Sequence, residues 1–165
     1  MLIINNPSLY NKKNQFFRMG NCITKIKLRK TTNENTKLFN FDGYRTICKV
    51  VDVYDGDTIT VTFVFMGKVI KYKVRMYGYD SPEMKPRLNK PNRDKEIKKA
   101  KEAKEYLKSL IDNKIVIMDC GKFGKFGRLL GKIYIGGSCL TPSLNINDHM
   151  VEMGHGIEYF GGTKK

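Results

Sequence analysis

The sequence predicts a mainly β chain with α elements (α+β), arranged as a small five-stranded Greek-key barrel with two helices. Three observations point to it. Between Tyr44 and Tyr77 polar residues alternate with β-branched or aromatic ones, interrupted by turn residues. After Pro91 the apolar spacing changes to three and four, the period of an amphipathic helix. Two further apolar stretches follow, parted by the glycine-rich run Gly121–Gly127.

Taken in order, Ile47, Val50, Val51 and Val53 form a first strand that ends in the turn Asp55-Gly56. Thr58–Phe65 is a second strand, Met66-Gly67-Lys68 turns the chain, and Val69–Tyr77 returns as a third, giving an antiparallel meander. Ile97, Ala100, Ala103, Leu107, Leu110 and Ile111 mark the apolar face of a helix, with Asn92 or Asp94 as its N-cap. Lysines and glutamates interleave on the outer face, the pattern of a solvated surface with intrahelical ion pairs. Lys114–Asp119 and Arg128–Ile135 are a fourth and a fifth strand, and a short helix around Asn147–Met153 stops at Gly154. Strands and helices in this order fit an OB-type barrel, which commonly binds nucleic acid.

Residues 1–42 differ: they are rich in Asn, Lys and Thr and read as a basic tail of low order, with Thr31–Thr36 a plain linker. Leu38, Phe39 and Phe41 at its end are candidates to dock on the 43–165 domain. A chain of 165 residues and 19.0 kDa supports one core. Its 31 Lys and Arg against 16 Asp and Glu give a net charge of +15, which suits a polyanion: nucleic acid first, an anionic membrane second. The four cysteines form no Cys-x-x-Cys and lie near neither His149 nor His155, which argues against zinc and against a disulfide framework. No apolar run has the length of a membrane span, and residues 1–7 lack the basic start of a secretory signal, so the expectation is a cytoplasmic, intracellular monomer.

The chemistry concentrates in three segments: Asp55-Gly56-Asp57-Thr58, Arg75–Glu83 and Gly127-Arg128. In a meander the start of the second strand lies beside the end of the third, which brings Asp57 and Asp80 to one rim. Asp55, directly or through water, and the Ser81 carbonyl can add oxygen ligands. An all-oxygen site selects Ca²⁺ or Mg²⁺ over zinc. Glu83, stiffened by Pro82, can orient or deprotonate a water beside the cation. Arg75 and Arg128 can each fork onto phosphate oxygens. Together these groups are what metal-assisted phosphodiester cleavage needs.

The runs Val53–Thr58, Arg75–Glu83 and Phe126-Gly127-Arg128 closely resemble, in order and spacing, the signatures of the staphylococcal-nuclease (thermonuclease-like) family. The resemblance covers about residues 45–160. It implies an OB-fold endonuclease, a hydrolase dependent on Ca²⁺ with Mg²⁺ second, that cleaves DNA and RNA to 3′-phosphate ends. It implies Asp57, Asp80 and the Ser81 carbonyl as metal ligands, Glu83 as the proposed general base, and Arg75 and Arg128 as phosphate-binding catalytic arginines. Three departures stand out: Ser81 replaces a threonine, the loop after Glu83 differs, and the chain stops at Lys165 without the founding enzyme's long C-terminal helix. Tyr159 or Phe160 are then the candidates for the base-stacking tyrosines. The alternative reading is a catalytically silent OB-fold module that binds nucleic acid. Finally, Met19-Gly20-Asn21-Cys22-Ile23-Thr24 matches a myristoylation pattern, with Cys22 as a palmitoylation neighbour and basic residues to position 30. Initiation at Met19 would make Gly20 and Cys22 lipid sites and residues 20–30 an anionic-membrane anchor.

Overall fold

The computed structural model describes residues 22–89, 91–137 and 144–162. The chain divides into two units, Met1–Phe39 and Asn40–Lys165. In the first, residues 22–28 are helical. The stretch expected to be a plain linker is a hydrogen-bonded turn. Thr32 N–H donates to Asn35 Oδ1 at 2.8 Å, Asn35 N–H donates back to Thr32 Oγ1 at 3.2 Å, and Asn35 Nδ2 donates to Lys30 O. Short polar side chains that bond their own backbone build such turns without a core.

The second unit is the barrel. Its strands are β1 (Arg45–Val53), β2 (Thr58–Phe65), β3 (Lys68–Met76), β4 (Gly78–Asp80), β5 (Ile115–Phe123), β6 (Leu129–Ile135), β7 (Leu144–Asn145) and β8 (Ile157–Tyr159). The helices are α1 (Arg93–Ile111) and α2 (Ile146–Glu152). The expected meander forms: β1 pairs β2 and β2 pairs β3, both antiparallel, around a two-residue turn at Met66-Gly67. β1 also pairs β5, β5 pairs β6, and β6 closes the ring by running parallel to β3. Five strands thus make the closed OB-type barrel, with α1 and α2 packed on it. At the closing seam a Cβ on Gly131 would stand 2.9 Å from Val74 Cγ1, so only glycine lets β6 approach β3 this closely.

Alternation sets the core. Ile59, Val61 and Phe63 on β2 and Val74 and Met76 on β3 point inward and are buried. Ala103, Leu107 and Ile111 of α1, and Ile146 and Met150 of α2, complete it. Phe41 is 3% exposed and meets Phe63, Phe65, Tyr72 and Phe123 edge-on at 5.1–6.0 Å. It therefore belongs to the barrel core, whereas Leu38 and Phe39 are exposed. Cys48 and Cys120 are free and buried, and burial pushes both thiols up to about 12. Among the described residues no helix is long and apolar enough to cross a membrane.

Some boundaries differ from expectation. The fourth strand continues to Phe123, and the fifth begins at Leu129, leaving Arg128 just ahead of it. Asn92 caps α1 in a left-handed conformation without a side-chain bond. Asp80 ends a short strand, β4, which pairs with β8: Gly78 faces Tyr159 and Asp80 faces Ile157. That pairing needs two segments nearly eighty residues apart, each too short to show a period.

Candidate active site

The Asp55–Thr58 turn is built from its own polar groups. Tyr54 and Asp55 N–H both donate to Thr58 O, at 2.9 and 3.3 Å, and Asp57 N–H donates to Asp55 Oδ1 at 3.1 Å. Gly56 is required at the centre: a Cβ there would stand 2.8 Å from Ser81 Cβ and 3.0 Å from Ala103 Cβ. Tyr79, fully buried, donates its hydroxyl to Gly56 O at 2.7 Å. The turn is thereby tied to the Asp80–Glu83 segment.

Asp57 is 4% exposed. Its carboxylate accepts from Thr58 Oγ1 at 2.9 Å, from Ser81 N–H at 3.2 Å and from Arg75 Nη1 at 3.1 Å. Arg75 Nη2 donates to Asp80 Oδ1. One guanidinium thus bridges both carboxylates, using two of the five N–H donors an arginine carries. Burial works to lower the Arg75 pKa, but Asp57 and Asp80, helped by Asp55, outweigh it and hold it above the usual value. Burial, with Asp57 nearby, pushes the Asp55 carboxyl up to about 6. Burial also drives the Tyr79 phenol well above its ordinary range, reinforced by Asp57 and Asp55.

Arg128 Nη1 points to Thr58 Oγ1 at 3.4 Å. A continuous chain of polar contacts therefore runs Arg128–Thr58–Asp57–Arg75–Asp80. It faces a cleft of about 380 Å³ whose walls include Arg75, Asp80, Glu83, Arg128, Tyr159 and Phe160. Glu83 is exposed at its mouth. Phe160 meets Tyr77 edge-on at 5.8 Å, and Tyr159 donates its hydroxyl to Gly162 O at 2.7 Å. The β4–β8 pairing brings these two aromatics to the cleft. Ser81 is buried, and its N–H is the atom seen to engage Asp57. Gly20 lies outside the described residues; Cys22 is an exposed free thiol.

Two participants were missed from sequence. Thr58 links Arg128 to Asp57, and its register was readable: a two-residue turn at Met66-Gly67 puts Thr58 opposite Arg75. Tyr79 alternates inward on β4, and nothing in the sequence signals its long-range bond to Gly56.

The donor set fits a hard cation. Asp57 and Asp80 both bond Arg75, and Asp55 adds a third carboxylate charge that acts on the same guanidinium. Among the described residues no three His, Cys, Asp or Glu side chains are arranged to hold a metal together. Asp57 and Asp80 would therefore be the side-chain ligands, with carbonyls and water completing the shell, a manner of binding usual for Mg²⁺ and open to Ca²⁺. Asp55 stands beside them, its Oδ1 accepting from Asp57 N–H.

A closed OB-type barrel with a carboxylate–arginine network at its rim is the class of protein that this fold and site define. The sequence model described as "Staphylococcal nuclease homologue" matches residues 73–164, more than half of the chain, and the chain belongs to that family. Among curated proteins it is similar to two from Escherichia coli, one of them from strain O157:H7, each described as an "uncharacterized endonuclease". Each is 29% identical over 106 residues, covering 64% of this chain and 56% of the relative. The chain thus spans little more than half the length of the curated relatives it matches.

Proposed function

We propose that this protein is a divalent-cation-dependent nuclease that hydrolyses phosphodiesters of DNA and RNA, with Ca²⁺ as the preferred ion on the strength of its family membership rather than of the ligand set. The supporting observation is the meeting of Arg75, Asp80, Glu83 and Arg128 around one cleft, with Asp57 bonded directly behind Arg75.

In this reading Arg75 and Arg128 donate to non-bridging oxygens of the scissile phosphate, Arg75 with the N–H groups left over from Asp57 and Asp80. Their charge opposes the negative charge that grows as phosphorus becomes five-coordinate; one such donor is typically worth ~10²–10³-fold in rate. Glu83, exposed at the mouth, accepts a proton from a water placed in line with the bond to the 5′ oxygen. The water oxygen bonds to phosphorus, the P–O5′ bond breaks, and the 5′ oxygen leaves as a hydroxyl after taking a proton from solvent water, while Glu83 returns its own proton to solvent. The products end in 3′-phosphate and 5′-hydroxyl. A cation held by Asp57 and Asp80 would supply further polarisation of a phosphoryl oxygen. Tyr159 and Phe160 line the cleft where a base next to the scissile phosphate would rest.

The test is cleavage of plasmid, single-stranded DNA and RNA in Ca²⁺, Mg²⁺ or chelator, beside Glu83→Gln and Arg128→Gln. Cleavage that requires the ion and falls sharply in both variants supports the reading. Equal cleavage in chelator, or full activity in both variants, overturns it. Tight binding without any cleavage would identify a silent nucleic-acid-binding module instead.

A further inference from the structure

The outer face of the β1–β3 meander carries a second ordered set of charges, outside the cleft. On β3 the side chains at 71, 73 and 75 share one face, because strand side chains alternate. Tyr72, Val74 and Met76 take the other face and pack inward, whereas Lys71 and Lys73 are exposed. Arg75 is the third member of that row, and it enters the cleft. Lys71, Lys73 and Arg75 therefore form a straight line of cations leading into the candidate site, with a step of about 7 Å per pair of residues. That step resembles the repeat of an extended nucleic-acid backbone.

The neighbouring strands reinforce the row. Across β2, Thr62 faces Lys71, Thr60 faces Lys73 and Thr58 faces Arg75. Three hydroxyls thus run beside three cations. On β1, exposed Lys49 pairs with Thr62 and extends the row by one more charge. One acidic residue interrupts the face: Asp52, which pairs with Thr60. Among the described residues Lys49, Lys71 and Lys73 are not paired with a carboxylate, in contrast to Arg45, which lies 3.2 Å from Asp119. β6 joins β3 only from Val74 onward, so it does not cover the Lys71–Lys73 stretch.

We propose that Lys71, Lys73 and Lys49, with Thr60 and Thr62, form a backbone track that holds the sugar–phosphate strand of a single-stranded nucleic acid one or two nucleotides away from the phosphate at Arg75. The track rests on the nuclease reading for its role in catalysis, but its affinity for a strand stands independently. Nucleic acid is favoured over a membrane because the row is continuous with the phosphate-handling cleft and offers hydroxyl donors in register with the charges. Lipid headgroups would need neither. Contacts of this kind set register and salt dependence rather than sequence preference.

The test uses the full chain and the double variant Lys71→Gln/Lys73→Gln, with Lys101→Gln/Lys108→Gln on α1 as a control of equal charge. Anisotropy with a fluorescent single-stranded oligonucleotide of about twelve residues, in chelator, reads binding without cleavage. Affinity is expected to fall about tenfold in the track variant, and the slope of log affinity against log salt is expected to become shallower by about one per lysine. With cation present, KM for the oligonucleotide is expected to rise while turnover of a p-nitrophenyl phosphodiester of a single nucleotide is unchanged. Unchanged oligonucleotide affinity, or an equal loss in the α1 control, would overturn the track. So would a loss confined to vesicles of phosphatidylserine and phosphatidylcholine. If the protein binds strands through the track yet cleaves nothing, the track stands and the nuclease reading fails.

Discussion

Arg75 Nη1 lies 3.1 Å from both carboxylate oxygens of Asp57, the one charged residue that is buried among the described residues. The pair is self-consistent only as a pair, because a buried carboxylate without its partner is costly. Replacing Arg75 by Gln should therefore weaken folding, by roughly 3–5 kcal/mol in chelator by the usual cost of breaking such a pair. Urea melts with and without Ca²⁺ check this. The ion should restore a large part of the loss, since it supplies positive charge to the same carboxylates. Stability unchanged in chelator would mean that Arg75 does not compensate Asp57.

Glu83 is exposed where Asp57 is buried. It sits exposed at the cleft mouth, so Glu83→Gln should leave stability within about 0.5 kcal/mol, as surface changes generally do. Its rate on oligonucleotide should fall by ~10²–10⁴, the usual worth of a positioned base. Parallel melts and kcat measurements separate the two effects; a melt as damaged as the rate would assign Glu83 a structural role.

Asp55 gives a pH signature. Its carboxyl is pushed up to about 6, chiefly by burial and then by Asp57, against an ordinary value of 3.8. The fold thus favours the protonated form. The stabilising contribution is complete below about 3.8 and is lost as pH rises through about 6. Asp55→Asn should raise the Tm of the chelated protein by a few degrees at pH 7.5 and leave it unchanged at pH 3.5. Ca²⁺ should shrink the difference at pH 7.5. An Asn variant that melts lower at pH 7.5 would contradict the assignment.

Phe41 should behave as a core residue. Its ring contacts five aromatics, so Phe41→Ala is expected to cost about 3–5 kcal/mol, while Leu38→Ala should cost less than about 0.5 kcal/mol. Chemical denaturation of the two variants decides this.

Much of this was legible from sequence because the relevant signals are local. Period-two alternation over Thr58–Met76 gives β2 and β3, and the two-residue turn at Met66-Gly67 fixes their register. That register already places Asp57 beside the end of β3, which is why the carboxylates and Arg75 meet. Most of what escaped is non-local. The β4–β8 pairing involves strands of three residues each, below the length at which a period can be read. The parallel seam between β3 and β6 rests on Gly131, whose role is visible only once Val74 stands against it. The Thr31–Thr36 turn is held by side chains of Thr32 and Asn35, whose composition is equally that of a linker. The bridging of both carboxylates by Arg75 was also hidden, because composition suggested a phosphate ligand and not a counter-ion.

The most direct measurement is cleavage of a single-stranded oligonucleotide by the full chain in Ca²⁺ and in chelator, with the ends of the products identified by mass. The account predicts strand scission only with the ion, 3′-phosphate and 5′-hydroxyl ends, and a loss of at least ~10²-fold in Arg128→Gln, the scale of one removed donor to a phosphoryl transition state. Scission that persists in chelator, products ending in 5′-phosphate, or an Arg128→Gln variant as fast as the parent would contradict it.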